Sequence, residues 1–384
     1  MNRIKFTTAG ESHGEMLLGI LEGIPSNLKI NVEYIVHHLK RRQMGFGRSN
    51  RMNIEDDLPQ ICSGIRLGKT LGSPIGIMIK NNDWKNWKSK MSVNKIEDKI
   101  NKITIPRPGH ADLAGIQKYD FDDIRNVIER SSARETAMRV ALGSICRKML
   151  EELGIFVSSY VCSIYNVTDK EDYSKVSALE MNKKADLSLV RSLNKNLSEK
   201  MIDEISKAKN NGDSVGGSFK VHICGVPFGL GSYTEWNKKL NARLGHALLS
   251  INGIKSFDVG LGHQSEKKYG SELHDEIGYE KNKFVRYSNN CGGIEGGMSN
   301  SETIILSATM KPIPTLIKPL KSIDIDSKEQ VLAHKERTDS CSVPAASIIA
   351  ESMACFVICD ALLEKFGGDS MEQLTAHIRQ SSKY

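Results

Sequence analysis

The stretch SARETAMRVALGSICRKMLEELG, residues 132–154, carries the clearest secondary-structure signal in the sequence. Its apolar residues recur at intervals of three and four, which is the spacing of one face of an α-helix. Ser132 lies three residues before Glu135, as in a capping box, and Gly154 is a typical helix stop. The pattern therefore predicts a capped helix that begins at Ser132 and ends at Gly154.

Strands and helices alternate on both sides of this helix. Upstream, LLGILEGI and GSPIGIMIKN predict strands and NVEYIVHHLKRRQ predicts a helix. Downstream, GGSFKVHICGVPFG, IKSFDVGLG and SETIILSATMKPIPT predict strands, and a last helix is expected to begin near Pro344 and to end before Gly367. The sequence has no repeat of fixed period and no linker rich in proline or serine. We therefore expect an α+β protein with a single large domain over residues 1–384.

The segment at about 167–211 differs from its surroundings in composition. It is rich in lysine and glutamate and poor in aromatic residues, with the texture of exposed helices. It predicts a peripheral charged helical insertion.

Composition favours a cytoplasmic protein with anionic partners. Hydrophobic residues make up 39% of the 384 residues, enough for a large core, and the net charge is +7. The eight cysteines are scattered, and the nearest pair, Cys355 and Cys359, has helical rather than zinc-ligand spacing, so reduced core cysteines and no metal are expected. The N-terminus lacks an export signal, and Glu351 and Asp360 interrupt the most apolar late segment, which favours a core helix over a membrane span.

Three kinds of short motif carry candidate chemistry. In TTAGESHGE, residues 7–15, glycines flank His13, so the segment is either a proton-transferring site or a surface turn with an incidental histidine. Arginines cluster in KRRQMGFGRSNR, RPGHAD, ERSSARE and ERTD, which suits either a polyanionic ligand or a solvated basic face. The helix start in ERSSARE could bind an anion with its free amides, or Ser132 could simply cap the helix.

These motifs together resemble the chorismate synthase family across nearly the whole chain. The matching stretches are GESHG, RRQMGFGRSNRMNIEDD, RPGHADLAGIQKYDFDDIRNVIERSSARETAMRVALG, NNCGGIEGGMSN and RTDSCSVPAASIIAESM. The sequence departs from the family at Gln43 and Met44, where an arginine-proline pair is usual, and at Thr338, Asp339 and Ser340, where histidine-aspartate-proline is usual. These departures concern local loop shape, since the neighbouring arginines and Asp339 are retained.

The resemblance implies a reaction, a cofactor and an assembly. The reaction is the 1,4-anti elimination of phosphate from 5-enolpyruvylshikimate 3-phosphate to give chorismate, in the shikimate pathway of aromatic amino acid biosynthesis. It requires reduced FMN (FMNH2) without net redox change, and NADPH could serve as an indirect reductant. The implied fold is a β-α-β sandwich with helices between antiparallel sheets, assembled as a homotetramer. Nothing in the sequence resembles a reductase domain, so an external flavin reductase is expected.

The resemblance also implies roles for individual residues. His13 would protonate the leaving phosphate, His110 would stabilise the reduced flavin anion, and Asp339 would act as the base through the flavin N5. Substrate or NADP anions would be bound by Arg42, Arg48, Arg51, Arg107 and Arg134. FMN would be bound by Arg130, Ser131, Ser132, Asn252, Gly253, Gly296, Lys311, Pro312, Ile313, Pro314, Thr315 and Arg337.

Two other classes of function are less consistent with the sequence. An RNA-binding protein could use RRQMGFGRSNR as a basic strip, but Phe46 is its only aromatic ring and the basic excess is small. A flavoprotein oxidoreductase would differ from a lyase in showing net oxidation of its substrate. We therefore expect a small-molecule substrate, with neither nucleic acid nor a membrane as a partner.

Overall fold

The computed structural model describes residues 3–48, 54–97, 100–336 and 338–381, and within these ranges it contains ten α-helices and seventeen strands. The helices are α1 (Val32–Gln43), α2 (Asp112–Tyr119), α3 (Arg125–Ser131), α4 (Thr136–Glu152), α5 (Ala178–Asp186), α6 (Lys195–Asn210), α7 (Leu240–Leu249), α8 (Gly270–Leu273), α9 (Val343–Phe366) and α10 (Met371–Ser381). The strands are β1 (Lys5–Ala9), β2 (Met16–Glu22), β3 (Pro59–Ile61), β4 (Ile65–Arg66), β5 (Lys69–Thr70), β6 (Ile75–Lys80), β7 (Phe156–Ile164), β8 (Val167–Thr168), β9 (Gly217–Cys224), β10 (Ile254–Val259), β11 (Ile277–Glu280), β12 (Lys283–Arg286), β13 (Ile294–Glu295), β14 (Met298–Ser299), β15 (Ile304–Met310), β16 (Lys321–Ile323) and β17 (Gln330–Leu332).

Two antiparallel sheets provide most of the strand pairing. The first has the order β1-β2-β6-β3, and the second has the order β10-β15-β9-β7-β8. In β2, Leu17 and Leu21 point into the core while Leu18 and Ile20 are exposed, as the two-residue period of a strand requires. The remaining strands form two-stranded ribbons.

Helices α4 and α9 form the centre of the core. Helix α4 contacts β2 and β6 of the first sheet, α9 contacts β7 and β9 of the second, and the two helices pack against each other. The approach is close because small residues lie at the contact: a Cβ placed on Gly143 of α4 would be 2.6 Å from the Cβ of Ser352. Each of the two sheets therefore packs against at least one of these helices.

The predicted elements occur close to their expected positions, with two corrections. Ser132 does cap a helical turn, but its hydroxyl accepts from the Arg134 amide at the start of a short 3-10 turn, Ala133–Glu135, and α4 itself begins at Thr136. The capping box is not formed, because Glu135 bonds to Thr8 and Arg139 instead. Pro344 lies in the first turn of α9 and Gly367 follows its end, as predicted, but α10 shows that α9 is not the last helix.

The charged segment at about 167–211 contains the predicted helices, α5 and α6, after the edge strand β8. Leu179, Leu187 and Leu189 are exposed among its charged residues, while Met201 and Ile205 of α6 are fully buried in the main core. The amide of Phe46 donates to the carbonyl of Leu189, which attaches the segment to the loop after α1. The insertion is thus packed onto the core along its inner side.

Helix α9 is long and apolar enough to cross a membrane, but 94% of its most apolar window is buried inside the protein, as a core helix requires. Its one fully buried acid, Glu351, accepts hydrogen bonds from Arg41, Arg147 and Ser159. Burial raises the pKa of Glu351, but three neighbouring arginines, the third being Arg191, hold it far below its usual range. The eight cysteines are all free thiols, and Cys355 and Cys359 are buried.

Candidate active site

A cavity of about 390 Å³ collects most of the residues that the sequence motifs single out. That volume is within the range of small-molecule sites. Its walls come from the turn between β1 and β2, the end of α1, the α3–α4 junction, the segments after α7 and β15, and the start of α9. The predicted residues that line it are His13, Arg42, Arg48, Arg107, His110, Ser131, Ser132, Arg134, Asn252, Gly253, Lys311, Pro312, Ile313, Pro314, Thr315 and Asp339.

His13 is held in a fixed orientation at one wall. Its turn depends on Gly10, which has a φ of +103°, and a Cβ there would lie 2.3 Å from the carbonyl of Met16. The imidazole Nδ1 is 3.0 Å from Glu129 Oε1, and the ring stacks on Trp87 with centroids 3.8 Å apart. His13 is 7% exposed and has a buried acidic partner, so it is not an incidental histidine in a surface turn.

His110 is also held by a buried carboxylate. Its Nδ1 lies 2.5 Å from Asp112 Oδ1, and Asp112 is completely buried. Burial raises the pKa of Asp112, but the hydrogen bonds from His110 and Arg107 bring it well below its ordinary value. Arg107 uses both edges of its guanidinium here, donating to Asp112 and to Thr315. Arg107 therefore lines the cavity, but its guanidinium is used to hold His110 and Thr315 in place and not to bind a substrate anion through two hydrogen bonds.

Three arginines converge on the opposite wall. Arg42 donates to Thr136 Oγ1 and to the carbonyl of Ala133, and Arg134 donates to Asn81 and Asp57. Burial lowers the pKa of Arg42 to about 10, although the negative charge of Asp57 acts to raise it. The positive charges of Arg48 and Arg134 contribute to the lowering of this pKa. Like charges held this close in a cavity favour an anionic ligand, since an anion would reduce their mutual repulsion.

Arg48 and Asp339 form an ion pair near the N-terminal end of α9. Arg48 Nη1 is 3.0 Å from Asp339 Oδ2, and the same carboxylate oxygen accepts from the Ser342 hydroxyl. Both side chains are largely buried but remain in the cavity wall. Arg48, which is predicted to bind a substrate anion, and Asp339, which is predicted to act as the base, are thus direct partners. The sequence could not indicate this pairing.

The residues predicted to bind FMN form the third wall. The Asn252 amide donates to the carbonyl of Ser131, and Gly253 has a φ of +81° and accepts from the Lys311 amide. Burial, together with the charge of Lys255, lowers the pKa of Lys311. The Ser131 hydroxyl is turned back to the carbonyl of Val127 in its own helix, so only its backbone faces the cavity.

Four predicted residues are not brought into this cavity by the described structure. Arg130 donates to Thr8 and Gly10 and lines a second cavity of about 890 Å³ instead. Gly296 lies in the turn between β13 and β14, away from the residues that line the site. Arg51 and Arg337 lie outside the described residues.

The sequence analysis missed the acidic partners of the site. Glu129, Asp112 and Asp57 are each nearly or fully buried and each binds a predicted site residue. Two of them were readable in principle: Asp112 stands two residues after His110, and Asp57 lies in IEDD after the arginine cluster. Glu129 gave no such signal, because its partner His13 is 116 residues away in the chain.

Comparison with known proteins gives one consistent family. A family model described as chorismate synthase matches residues 4–363. The chain is 52% identical to the chorismate synthase of Alkaliphilus metalliredigens over 96% of this chain and 97% of that relative, and 48% identical to that of Aquifex aeolicus over 97% and 95%. A crystal structure of chorismate synthase, 38% identical, matches with a TM-score of 0.79 over 98% of this chain and 96% of that one. The chain therefore belongs to the chorismate synthase family, a family of lyases in the shikimate pathway.

Proposed function

We propose that the cavity binds 5-enolpyruvylshikimate 3-phosphate and eliminates its phosphate to give chorismate. The observation that supports this most directly is the convergence of Arg42, Arg48 and Arg134 with His13 in one cavity. A substrate with two carboxylates and a phosphate needs several cationic forks and a proton donor for the leaving group. The arrangement supplies both within a space of small-molecule size.

The donor set of the cavity fits reduced FMN. One side is apolar, with Ile128, Met310, Ile313 and neighbouring prolines, and it adjoins Lys311 and the backbone amides after α3. A flat apolar surface beside a cationic group suits an aromatic ring system that carries a phosphate. The residues that would hold the cofactor are Ser131, Ser132, Asn252, Gly253, Lys311, Pro312, Ile313, Pro314 and Thr315. When bound, reduced FMN supplies electron density transiently to the substrate as its carbon–oxygen bond breaks.

The protein's own residues then have distinct tasks. His13 donates a proton to the leaving phosphate, which removes the cost of expelling a more highly charged anion. Arg42, Arg48 and Arg134 bind the carboxylates and phosphate of the substrate. Asp339 accepts the proton that the substrate loses in the elimination. The substrate competes with Asp339 for the Arg48 guanidinium, so substrate binding is coupled to the release of Asp339 from this ion pair.

The finer features of fold and assembly form part of the same proposal. The contacts of α4 with the first sheet and of α9 with the second support a β-α-β sandwich with the helices between the sheets. We infer a homotetramer in the cytoplasm, supplied with reduced flavin by an external reductase, with NADPH acting only as an indirect reductant. In such an assembly, Arg130 and Gly296 would have to reach a cofactor from outside the cavity formed by one chain.

Anaerobic incubation of the purified protein with substrate and chemically reduced FMN tests this function. Phosphate and chorismate should appear in equal amounts while the flavin remains reduced at the end of the reaction. Oxidation of the flavin in proportion to product would indicate an oxidoreductase instead. Turnover with NADPH and oxidised FMN in the absence of a reductase would contradict the need for an external supply.

A further inference from the structure

Glu129 is placed to control which nitrogen of His13 carries a proton. Both carboxylate oxygens of Glu129 lie near His13 Nδ1, at 3.0 Å and 3.1 Å, and Oε2 also accepts the backbone N–H of His13 at 2.8 Å. The carbonyl of Glu129 accepts the amide of Ser12. Four contacts of this kind join one residue of α3 to the turn that carries His13.

The charge on Glu129 determines the direction of these hydrogen bonds. Burial raises the pKa of Glu129, but the hydrogen bond and charge of His13 and the charge of Arg125 lower it below its ordinary value, so the group is a carboxylate. A carboxylate has only acceptors to offer. Nδ1 of His13 must therefore carry a hydrogen, and the proton that His13 gains or loses is the one on Nε2.

Two further groups keep the histidine and the carboxylate in this arrangement. Arg125 donates to Glu129 Oε1 at 3.2 Å and also pairs with Glu336 at 3.0 Å. Trp87 stacks on the His13 ring, and the Arg125 guanidinium lies 5.1 Å from the Trp87 ring centre. The ring cannot turn its Nδ1 toward the cavity without breaking the contacts with Glu129.

We propose that Glu129 is a positioning residue that holds His13 in the Nδ1–H form, so that Nε2 is the nitrogen that serves the substrate. The inference rests on the proposed role of His13 as proton donor to the leaving phosphate. It predicts that loss of the Glu129 charge impairs proton transfer and not substrate binding. If Glu129 only stabilised the fold, loss of its charge would lower stability and leave proton transfer at each folded site unchanged.

The decisive variant is Glu129→Gln, which keeps the size of the side chain but offers one acceptor in place of two. We expect kcat to fall roughly 10- to 100-fold, with KM for the substrate within about twofold of the wild-type value. In protein labelled with 15N-histidine and free of substrate, His13 should change from a single Nδ1–H form to a mixture of tautomers. Signals are assigned by their loss in His13→Asn.

Two more variants complete the experiment. Glu135→Gln is the matched control, because Glu135 is a buried carboxylate in the same region that bonds to Thr8 and Arg139 outside the cavity; it should leave kcat and the His13 signals unchanged. Glu129→Asp keeps the charge, so it should retain the Nδ1–H form and more turnover than Glu129→Gln. If Glu129→Gln fails to fold, Glu129→Asp tests the proposal alone: kcat should fall in step with any loss of the Nδ1–H form, with KM unchanged.

The proposal is overturned if His13 keeps a single Nδ1–H form in Glu129→Gln, or if folded Glu129→Gln turns over at the wild-type rate. If Glu129→Gln does not fold, wild-type turnover in Glu129→Asp without a single Nδ1–H form, or reduced turnover with that form intact, overturns the proposal. Failure of the wild-type protein to release phosphate would instead contradict the proposed function, while the NMR measurement on the free protein would still decide the role of Glu129.

Discussion

Arg48 has two competing partners at the active site, Asp339 and, by our proposal, an anionic group of the substrate. Its Nη1 lies 3.0 Å from Asp339 and also donates to Ser342. We predict that Arg48→Ala weakens substrate binding by about 2 to 4 kcal/mol, because a desolvated oxyanion loses its charged donor. Arg48→Lys should recover only part of this loss, since an ammonium lacks the planar fork. Isothermal titration of substrate in the presence of oxidised FMN, which does not support turnover, measures both, and wild-type affinity in Arg48→Ala would remove this residue from the site.

Asp339→Asn separates the two members of the same ion pair. Asparagine preserves the shape and the hydrogen bond to Ser342 but cannot accept a proton, so turnover should fall by about 100-fold or more. Substrate affinity should stay equal or rise, because the Asp339 carboxylate no longer competes with the substrate for Arg48. Single-turnover kinetics and calorimetry on the same sample distinguish this from a structural role. A lower melting temperature with normal turnover per folded site would exclude Asp339 from catalysis.

At the scale of elements, α4 packs against α9, and this contact depends on the absence of a side chain at Gly143. Alanine is favoured over glycine inside a helix by about 1 kcal/mol, yet the new Cβ would lie 2.6 Å from the Ser352 Cβ and 3.1 Å from its Cα. Since both helices carry a sheet, they cannot separate without disturbing the core. We predict that Gly143→Ala lowers the free energy of unfolding by about 1 to 3 kcal/mol.

The control for Gly143→Ala is the double variant Gly143→Ala/Ser352→Gly, which moves the small residue to the other helix. It should be more stable than the sum of the two single changes indicates, by a coupling energy of about 1 kcal/mol. Denaturant unfolding of the four proteins gives this coupling directly. Additive effects would mean that the helices adjust without strain.

At the scale of the whole molecule, buried carboxylates link stability to pH. The pKa values of Glu351, Glu129 and Glu336 all lie below their ordinary value of 4.5 in the folded protein, that of Glu336 at about 2. Each therefore contributes stability that is fully present above pH 4.5 and is lost as the pH falls through the folded value. We expect the unfolding midpoint to drop steeply below about pH 4.5.

Glu351→Gln tests which carboxylate dominates this acid sensitivity. The substitution leaves Arg41, Arg147 and Arg191 without their shared buried anion, so stability at pH 7 should fall by about 3 to 5 kcal/mol. The further loss as the pH falls below 4.5 should be smaller than in the wild type, since one linked group is gone. Glu364→Gln, which removes an exposed partner of Arg243, is the control and should match the wild type within about 1 kcal/mol. An unchanged pH slope in Glu351→Gln would assign the linkage to the other carboxylates.

The sequence by itself determined the local elements and most of the site. A long apolar run, a proline in the first turn and a terminal glycine specified α9, because these signals lie within the helix itself or next to it. Sixteen of the residues that the family resemblance assigns to the site, including His13 and Asp339, line the cavity. The short motifs that carry that resemblance, such as GESHG and RPGHAD, can be recognised without knowing their neighbours in the fold.

Only the tertiary structure decided how those residues are paired. Arg41 and Arg42 are adjacent in the chain, yet the turn of α1 sends Arg41 to Glu351 in the core and Arg42 into the cavity. Glu129 reaches His13 from 116 residues away, and Arg107 proves to be committed to Asp112. A sequence pattern shows which face of its own element a side chain occupies. A buried charge is paired with a residue of whichever element packs beside it, and this partner is fixed only when the helices and sheets come together.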